Sequence, residues 1–169
     1  MKSSIRIGAL LLCGALCCSC TLFGGSSADL VNGPKAVAFR PNAITLDIKS
    51  DPHLNLYQEG AHPVYLCIYQ LKEPNWFIQS VAENDGIENL MSCGRLDQSV
   101  ALAKRVVVQP GRNLVESADR AEGARYLGLV AGYYDLRKET SVRLYEMKKK
   151  RFGMSLELGP KEIQQIKVK

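Results

Sequence analysis

The chain has 169 residues and a formal net charge of +5, with 46% hydrophobic and 23% charged residues. That length supports one domain of ordinary size, and the balance is that of a chain folding around a core, which excludes wholesale disorder. With Lys2 and Arg6 set aside as part of a removable segment the charge is +3, acids and bases interleaved, too mild for a nucleic-acid stripe.

Lys2 and Arg6 form a short positive start, and no charged side chain follows between Ile7 and Ala28. The run 7–18 is almost wholly apolar. About a dozen residues suit the hydrophobic region of a signal peptide, whereas a spanning helix needs about 20. Ser19, a small residue, precedes Cys20, and Thr21 and the stretch Gly24-Gly25-Ser26-Ser27 follow. This resembles a bacterial lipoprotein signal. It predicts a signal peptide over 1–19, an acylated Cys20 carrying diacylglycerol and an N-acyl chain, and a flexible tether through residue 35. Such an anchor holds without a spanning helix, at about 0.8 kcal/mol per buried methylene. Thr21 in place of Asp favours the outer membrane, by resemblance to enteric-type sorting. No other cofactor is expected.

From residue 36 onward the periodicity is mostly two. Ile44, Leu46 and Ile48 alternate with Thr45, Asp47 and Lys49, which predicts a half-buried strand. Val64–Leu71 is apolar on both faces and predicts an interior strand. Glu73–Leu102 breaks the pattern. Ser80-Val-Ala-Glu83 reads as a capping box opening a short helix, and 87–91 as a further turn. Arg105–Gln109, ended by Pro110-Gly111, and Asn113–Ala118 predict two more strands. Arg125–Tyr134 is the strongest candidate, with Gly128 and Gly132 relieving crowding on one face. Ser141–Met147 and Phe152–Leu158 flank Lys148–Arg151, which predicts a hairpin with a basic tip. Ile163–Val168 closes the chain as an edge strand guarded by Lys167 and Lys169. Short strands without a βαβ rhythm make the chain all-β: a two-sheet antiparallel β-sandwich with a short helical insertion, spanning 36–169.

Chemistry-bearing patterns are few. His53 and His62 lie in a polar loop without carboxylate or cysteine at ligand spacing, so no metal site is expected. No phosphate loop, nucleophile elbow or acid–base pair is present, so neither a catalytic residue nor a small-molecule substrate is expected. Four of the six cysteines crowd into the first 20 residues, leaving Cys67 and Cys93. An oxidising compartment invites their pairing, while a mid-strand Cys67 equally suits a buried free thiol; both remain open.

Val64-Tyr-Leu-Cys-Ile-Tyr-Gln-Leu-Lys-Glu-Pro74 followed by Trp76-Phe77 resembles the strand-and-exit of the type VI secretion lipoprotein family (TssJ/VasD). Ile44–Lys49 with Asp51-Pro-His-Leu-Asn55, Val108-Gln-Pro-Gly111 and Tyr126–Asp135 resemble further segments of that family, in order from Ala43 to Asp135. Two features stand apart from it: Gln58-Glu59-Gly60-Ala61, and the Cys67/Cys93 pair. The resemblance implies a transthyretin-like sandwich, lipid-anchored in the outer membrane and facing the periplasm. It implies a partner, the periplasmic C-terminal domain of an inner-membrane-anchored TssM-like protein. The docking loop would be Ser50–Pro63, with Leu54, Asn55, Leu56, Tyr57, Gln58 and Glu59 as contact candidates. The loop is long for a hairpin connection, and tyrosine is a common interface anchor. The alternative is a pilotin-like or pilus-assembly lipoprotein that binds an outer-membrane or pilin subunit through a sheet edge.

Overall fold

A strand that is apolar on both faces has to be covered twice, and Val64–Leu71 (β2) is covered by a second sheet on one side and by helices on the other. The computed structural model describes residues 37–169; the expected signal peptide, Cys20 and the tether lie outside the described residues. β2 is interior to a sheet ordered β3 (Val100–Val108), β2, β5 (Tyr126–Ala131), β6 (Val142–Glu146). The second sheet is ordered β4 (Leu114–Arg120), β1 (Arg40–Ser50), β7 (Phe152–Leu158), β8 (Ile163–Val168).

Between the sheets, Leu66 and Ile68 of β2 with Leu127 and Leu129 of β5 belong to one core with Ile44, Leu46 and Ile48 of β1 and with Phe152, Met154 and Leu156 of β7. Each such side chain contributes roughly 1.5–3 kcal/mol by leaving water. On the outer face, Cys67, Tyr69 and Leu71 of β2 and Val130 of β5 meet Phe77 and Val81 of α1 (Asn75–Ala82) and Leu90 of α2 (Gly86–Leu90). The compact unit Lys35–Lys169 contains both cores and every named strand and helix, so it has what it needs to fold by itself.

The expected two-sheet sandwich with a helical insertion is therefore present, with local departures. β1 and β7 are parallel, Ile44 opposite Phe152 and Ser50 opposite Leu158, where an all-antiparallel sandwich was expected. Lys148–Arg151 is not a hairpin tip: β6 pairs with β5, β7 pairs with β1 and β8, and the basic run crosses from one sheet to the other. Arg120, almost fully buried, fixes that crossover by donating to the carbonyls of Met147 at 2.9 Å and Lys149 at 2.6 Å, and also to Ala124 at 2.9 Å. Ser80 does not open a helix. It lies in the last turn of α1, which starts after Pro74 because Phe77 and Val81, four apart, must face the sheet. β3 begins at Val100 and is longer than expected, while β5 ends at Ala131.

Gly128 and Gly132 do lie on one crowded face. A Cβ at Gly128 would come within 2.9 Å of the Phe77 ring, and one at Gly132 within 2.6 Å of Met91. A disulfide joins Cys67 of β2 to Cys93 just past α2, closing a loop with a separation of 26 residues. Closing a loop of that length contributes about 3 kcal/mol by restricting the unfolded chain. The sheets are also tied by a polar contact. Gln70, buried on β2, donates to the carbonyl of Asp119 at 2.7 Å and accepts from the Ala121 amide at 2.8 Å.

Tyr69 is fully buried beneath the helices and its hydroxyl donates to the carbonyl of Leu90. Burial pushes its pKa from 10.0 up to about 12. In the unfolded chain the phenol releases its proton near pH 10, while the folded chain keeps it until about 12. Stability is thus full below about pH 10 and is lost as pH rises toward about 12. Urea unfolding followed across that window should show the loss, and Tyr69→Phe should make it shallower.

Candidate functional site

One end of the sandwich gathers the β1–β2 loop Asp51–Pro63, the segment Gly132–Arg137 after β5 and the β7–β8 turn Gly159–Glu162. The long loop is pinned to the body rather than loose. The Asp51 amide donates to the Leu158 carbonyl at 2.9 Å and its own carbonyl accepts from Leu54 at 3.0 Å and Gly111 at 3.1 Å. The Leu56 amide donates to the Pro160 carbonyl at 2.7 Å.

The contact candidates expected from sequence separate into two groups. Leu54 is 0% exposed and belongs to the core between the sheets, so it caps the end of the sandwich and is not available to a partner. Asn55 is also buried, with φ of 50°, and its amide side chain has an internal task. Its Nδ2 donates to the Pro63 carbonyl at 3.3 Å and its Oδ1 accepts from the Tyr134 amide at 2.9 Å, fastening the second segment to the first. Leu56 is half-buried, whereas Tyr57, Gln58 and Glu59 are exposed. Tyr57 and Gly60 exchange backbone hydrogen bonds of 2.9 and 3.0 Å around Gln58 and Glu59, whose φ values are 46° and 63°. Asn-Gly is the usual pair for such a turn, and holding Gln and Glu there stores on the order of 1–2 kcal/mol of strain each. Strain of this kind persists where the surroundings fix it, and it accumulates at functional loops.

The turn presents Tyr57 face to face with Tyr134, ring centres 4.2 Å apart and planes 13° from parallel. His62 meets Tyr134 edge-on at 5.2 Å, with its Nε2 3.3 Å from the Tyr57 carbonyl oxygen. Tyr57 is 43% and Tyr134 56% exposed, so the stack is a surface feature held by buried supports. Beside it runs a cleft of about 410 Å³ bounded by Leu56, Tyr57, Tyr134, Asp135, Pro160 and Lys161. A shallower one of about 300 Å³ lies on the other side of Tyr134, against His62, Pro63 and Tyr65. Tyr133 points the opposite way into the core, where burial raises its hydroxyl pKa well above the ordinary value. A rigid pair of amphipathic rings between two grooves suits recognition of another macromolecule, since the rings offer large area at little entropic cost.

Sequence reading missed Tyr134, taken as the end of a strand, and His62, taken as an exposed loop histidine. The usable signal was Gly132-Tyr133-Tyr134, in which alternation past the strand end sends one ring inward and the other out. Among the described residues no group of His, Cys, Asp and Glu is placed to hold a metal ion.

Over residues 42–169 the chain matches the T6SS-SciN family, described as type VI secretion lipoprotein, VasD, EvfM, TssJ. Its fold is similar to the crystal structure of the T6SS lipoprotein TssJ1 from Pseudomonas aeruginosa, with a TM-score of 0.65 and 23% identity over 76% of this chain and 97% of that one. It is similar to Serratia marcescens Lip, a membrane-bound component of the type VI secretion system, with a TM-score of 0.56 and 16% identity over 72% of this chain and 94% of that one. A chain in the structure of the T6SS protein TssM C-terminal domain from EAEC gives a TM-score of 0.60 at 19% identity, over 72% of this chain and 94% of that one. Comparison with curated proteins returned no match.

The supports and the rings of the site should separate in unfolding experiments. Leu54→Ala, which empties a core position, should cost about 2–5 kcal/mol. Tyr57→Ala, which removes one exposed ring of a stacked pair, should cost about 1 kcal/mol or less. Urea midpoints of the two variants check this. The motifs read from sequence, the sandwich with its helical cover and the match over 42–169 agree: the chain belongs to the type VI secretion lipoprotein family.

Proposed function

We propose that this protein is the outer-membrane-anchored, periplasmic lipoprotein of a type VI secretion membrane complex, and that its loop end docks the periplasmic C-terminal domain of an inner-membrane-anchored TssM-like partner. The observation that carries the docking reading is the exposed Tyr57–Tyr134 stack, held by buried Leu54 and Asn55. Its rings need no reordering before contact, which reduces the entropic cost of association. Family membership supports the assignment. So does fold similarity to chains in structures described as the TssM C-terminal domain and the type VI membrane complex. The role is that of a binding module, not an enzyme.

In this reading the docking residues are Leu56, Tyr57, Gln58 and Glu59 from the first loop, joined by His62 and Tyr134, while Leu54 and Asn55 act as their supports. The experiment is calorimetric titration of the purified unit Lys35–Lys169 with the periplasmic C-terminal domain of the partner. Tyr57→Ala and Tyr134→Ala should each weaken binding by about tenfold or more. Unchanged affinity in two folded variants would place the interface elsewhere on the domain.

The anchor is the second half of the proposal: a signal peptide over 1–19, acylation of Cys20 by diacylglycerol and an N-acyl chain, and a tether of residues 20–35 that leads into the sandwich. The intact mass of membrane-extracted protein should equal residues 20–169 plus the acyl groups. The Cys20→Ser form should lose that mass and leave the outer-membrane fraction. A full-length, unacylated protein in the inner membrane would refute the anchor.

A further inference from the structure

The sandwich has two chemically different ends. β1 runs from Arg40 to Ser50, so the loops that hold the Tyr57–Tyr134 stack stand at the end where β1 finishes. At the end where it starts, four features meet. The chain enters there, with the Val37 carbonyl accepting from the Gly123 amide at 2.7 Å and Arg40 paired opposite Arg120. β7 runs parallel to β1, so the crossover Lys148-Lys149-Lys150-Arg151 that precedes it lies at this end too. β8 is antiparallel to β7, which brings Lys167 and Lys169 back to the same end. Phe39, 56% exposed, stands immediately before β1.

The crossover is fixed, not a loose tail, because buried Arg120 binds the carbonyls of Met147 and Lys149. Lys148, Lys149, Lys150 and Arg151 are all exposed. Lys148 is 3.8 Å from Glu146 and Arg151 donates to the Asn42 carbonyl at 3.1 Å, while among the described residues Lys149 and Lys150 form no salt bridge. Lys169 is paired with Asp47, and other charges at this end include Lys72, Arg125, Glu73, Asp97, Asp119 and Glu122. A held row of exposed lysines, two of them without a salt bridge among the described residues, at the same end as one exposed aromatic ring matches the chemistry of a bilayer surface, phosphate outside and hydrocarbon beneath.

We propose that this end binds the phosphate-bearing headgroups of the leaflet to which the chain is tethered, with Lys148, Lys149 and Lys150 as the contacts and Phe39 dipping into the interface. The proposal rests on the lipid-anchor reading, because that reading makes the entry end the one nearest the membrane. Anchor and headgroup contact then act together: the first supplies a high local concentration and the second an orientation. The domain stands on its basic end and holds the aromatic stack away from the bilayer.

The test uses the unit Lys35–Lys169, which lacks Cys20, so its outcome is independent of whether Cys20 is acylated. Flotation with vesicles of phosphatidylcholine alone is compared with vesicles containing phosphatidylglycerol. Binding to the anionic vesicles is expected, falling steeply with salt. The triple variant Lys148→Glu, Lys149→Glu, Lys150→Glu should bind roughly a hundredfold more weakly. The Lys→Gln triple should fall between, Phe39→Ala should weaken binding several-fold, and Arg112→Glu at the opposite end should bind as the parent does. Melting curves identify any variant that fails to fold, and the Gln series then decides. Equal binding to both vesicle types, or parent-like binding by both triples, would overturn the proposal. Inorganic phosphate that displaces the vesicles beyond chloride of the same ionic strength would also overturn it, in favour of a soluble phosphate ligand.

Discussion

The two-sided burial of β2 is the constraint from which the rest of the structure follows. A strand with Leu66 and Ile68 on one face and Cys67, Tyr69 and Leu71 on the other has no face to give to water. One covering sheet would leave three large side chains exposed. The helices α1 and α2 supply the second cover, and their closeness demands glycine at 128 beneath the Phe77 ring. The disulfide from Cys67 to Cys93 holds the far end of that cover to the strand it protects. The domain is therefore a sandwich with a third, partial layer, and that layer exists because of one strand's composition.

The same logic of buried supports shapes the loop end that carries the ring stack. A loop as long as Asp51–Pro63 would ordinarily move, and motion would be lost on binding at a cost in free energy. Here Leu54 enters the core, Asn55 ties the loop to Tyr134, and Leu56 is held by Pro160. The four-residue turn and the ring stack it carries project to solvent from these supports. Rigidity and exposure, which usually oppose each other in loops, are assigned to adjacent residues.

Much of this was legible in the sequence, and what was not has a physical reason. Period-two alternation located β1 and β7, where one face is buried and the other wet, and a continuous apolar run marked β2 as interior. Alternation says nothing about which strands pair, so the parallel register of β1 with β7 and the crossover at Lys148–Arg151 were invisible. Ser80 carried a local capping signal that lost to tertiary burial of Phe77 and Val81. In the long polar loop, Tyr57 and Leu54 look alike as contact candidates in sequence, yet the first is exposed and the second fully buried. Tyr134 was missed because its stacking partner is far away along the chain.

The pairing order also fixes when each sheet can exist during folding. β2, β3, β5 and β6 all lie between Val64 and Glu146 and pair only among themselves. β1 is the first of the described strands and does not pair with β2, the strand that follows it. Its partners are β4 and then β7, and Ile44 is matched to Phe152 across most of the domain. Contacts of such separation carry a large loop-closure entropy and form slowly. A chain that emerges from its N-terminus thus holds β1 unpaired on one edge until β7 has arrived, and only then closes the sheet that joins the basic end to the end carrying the Tyr57–Tyr134 stack.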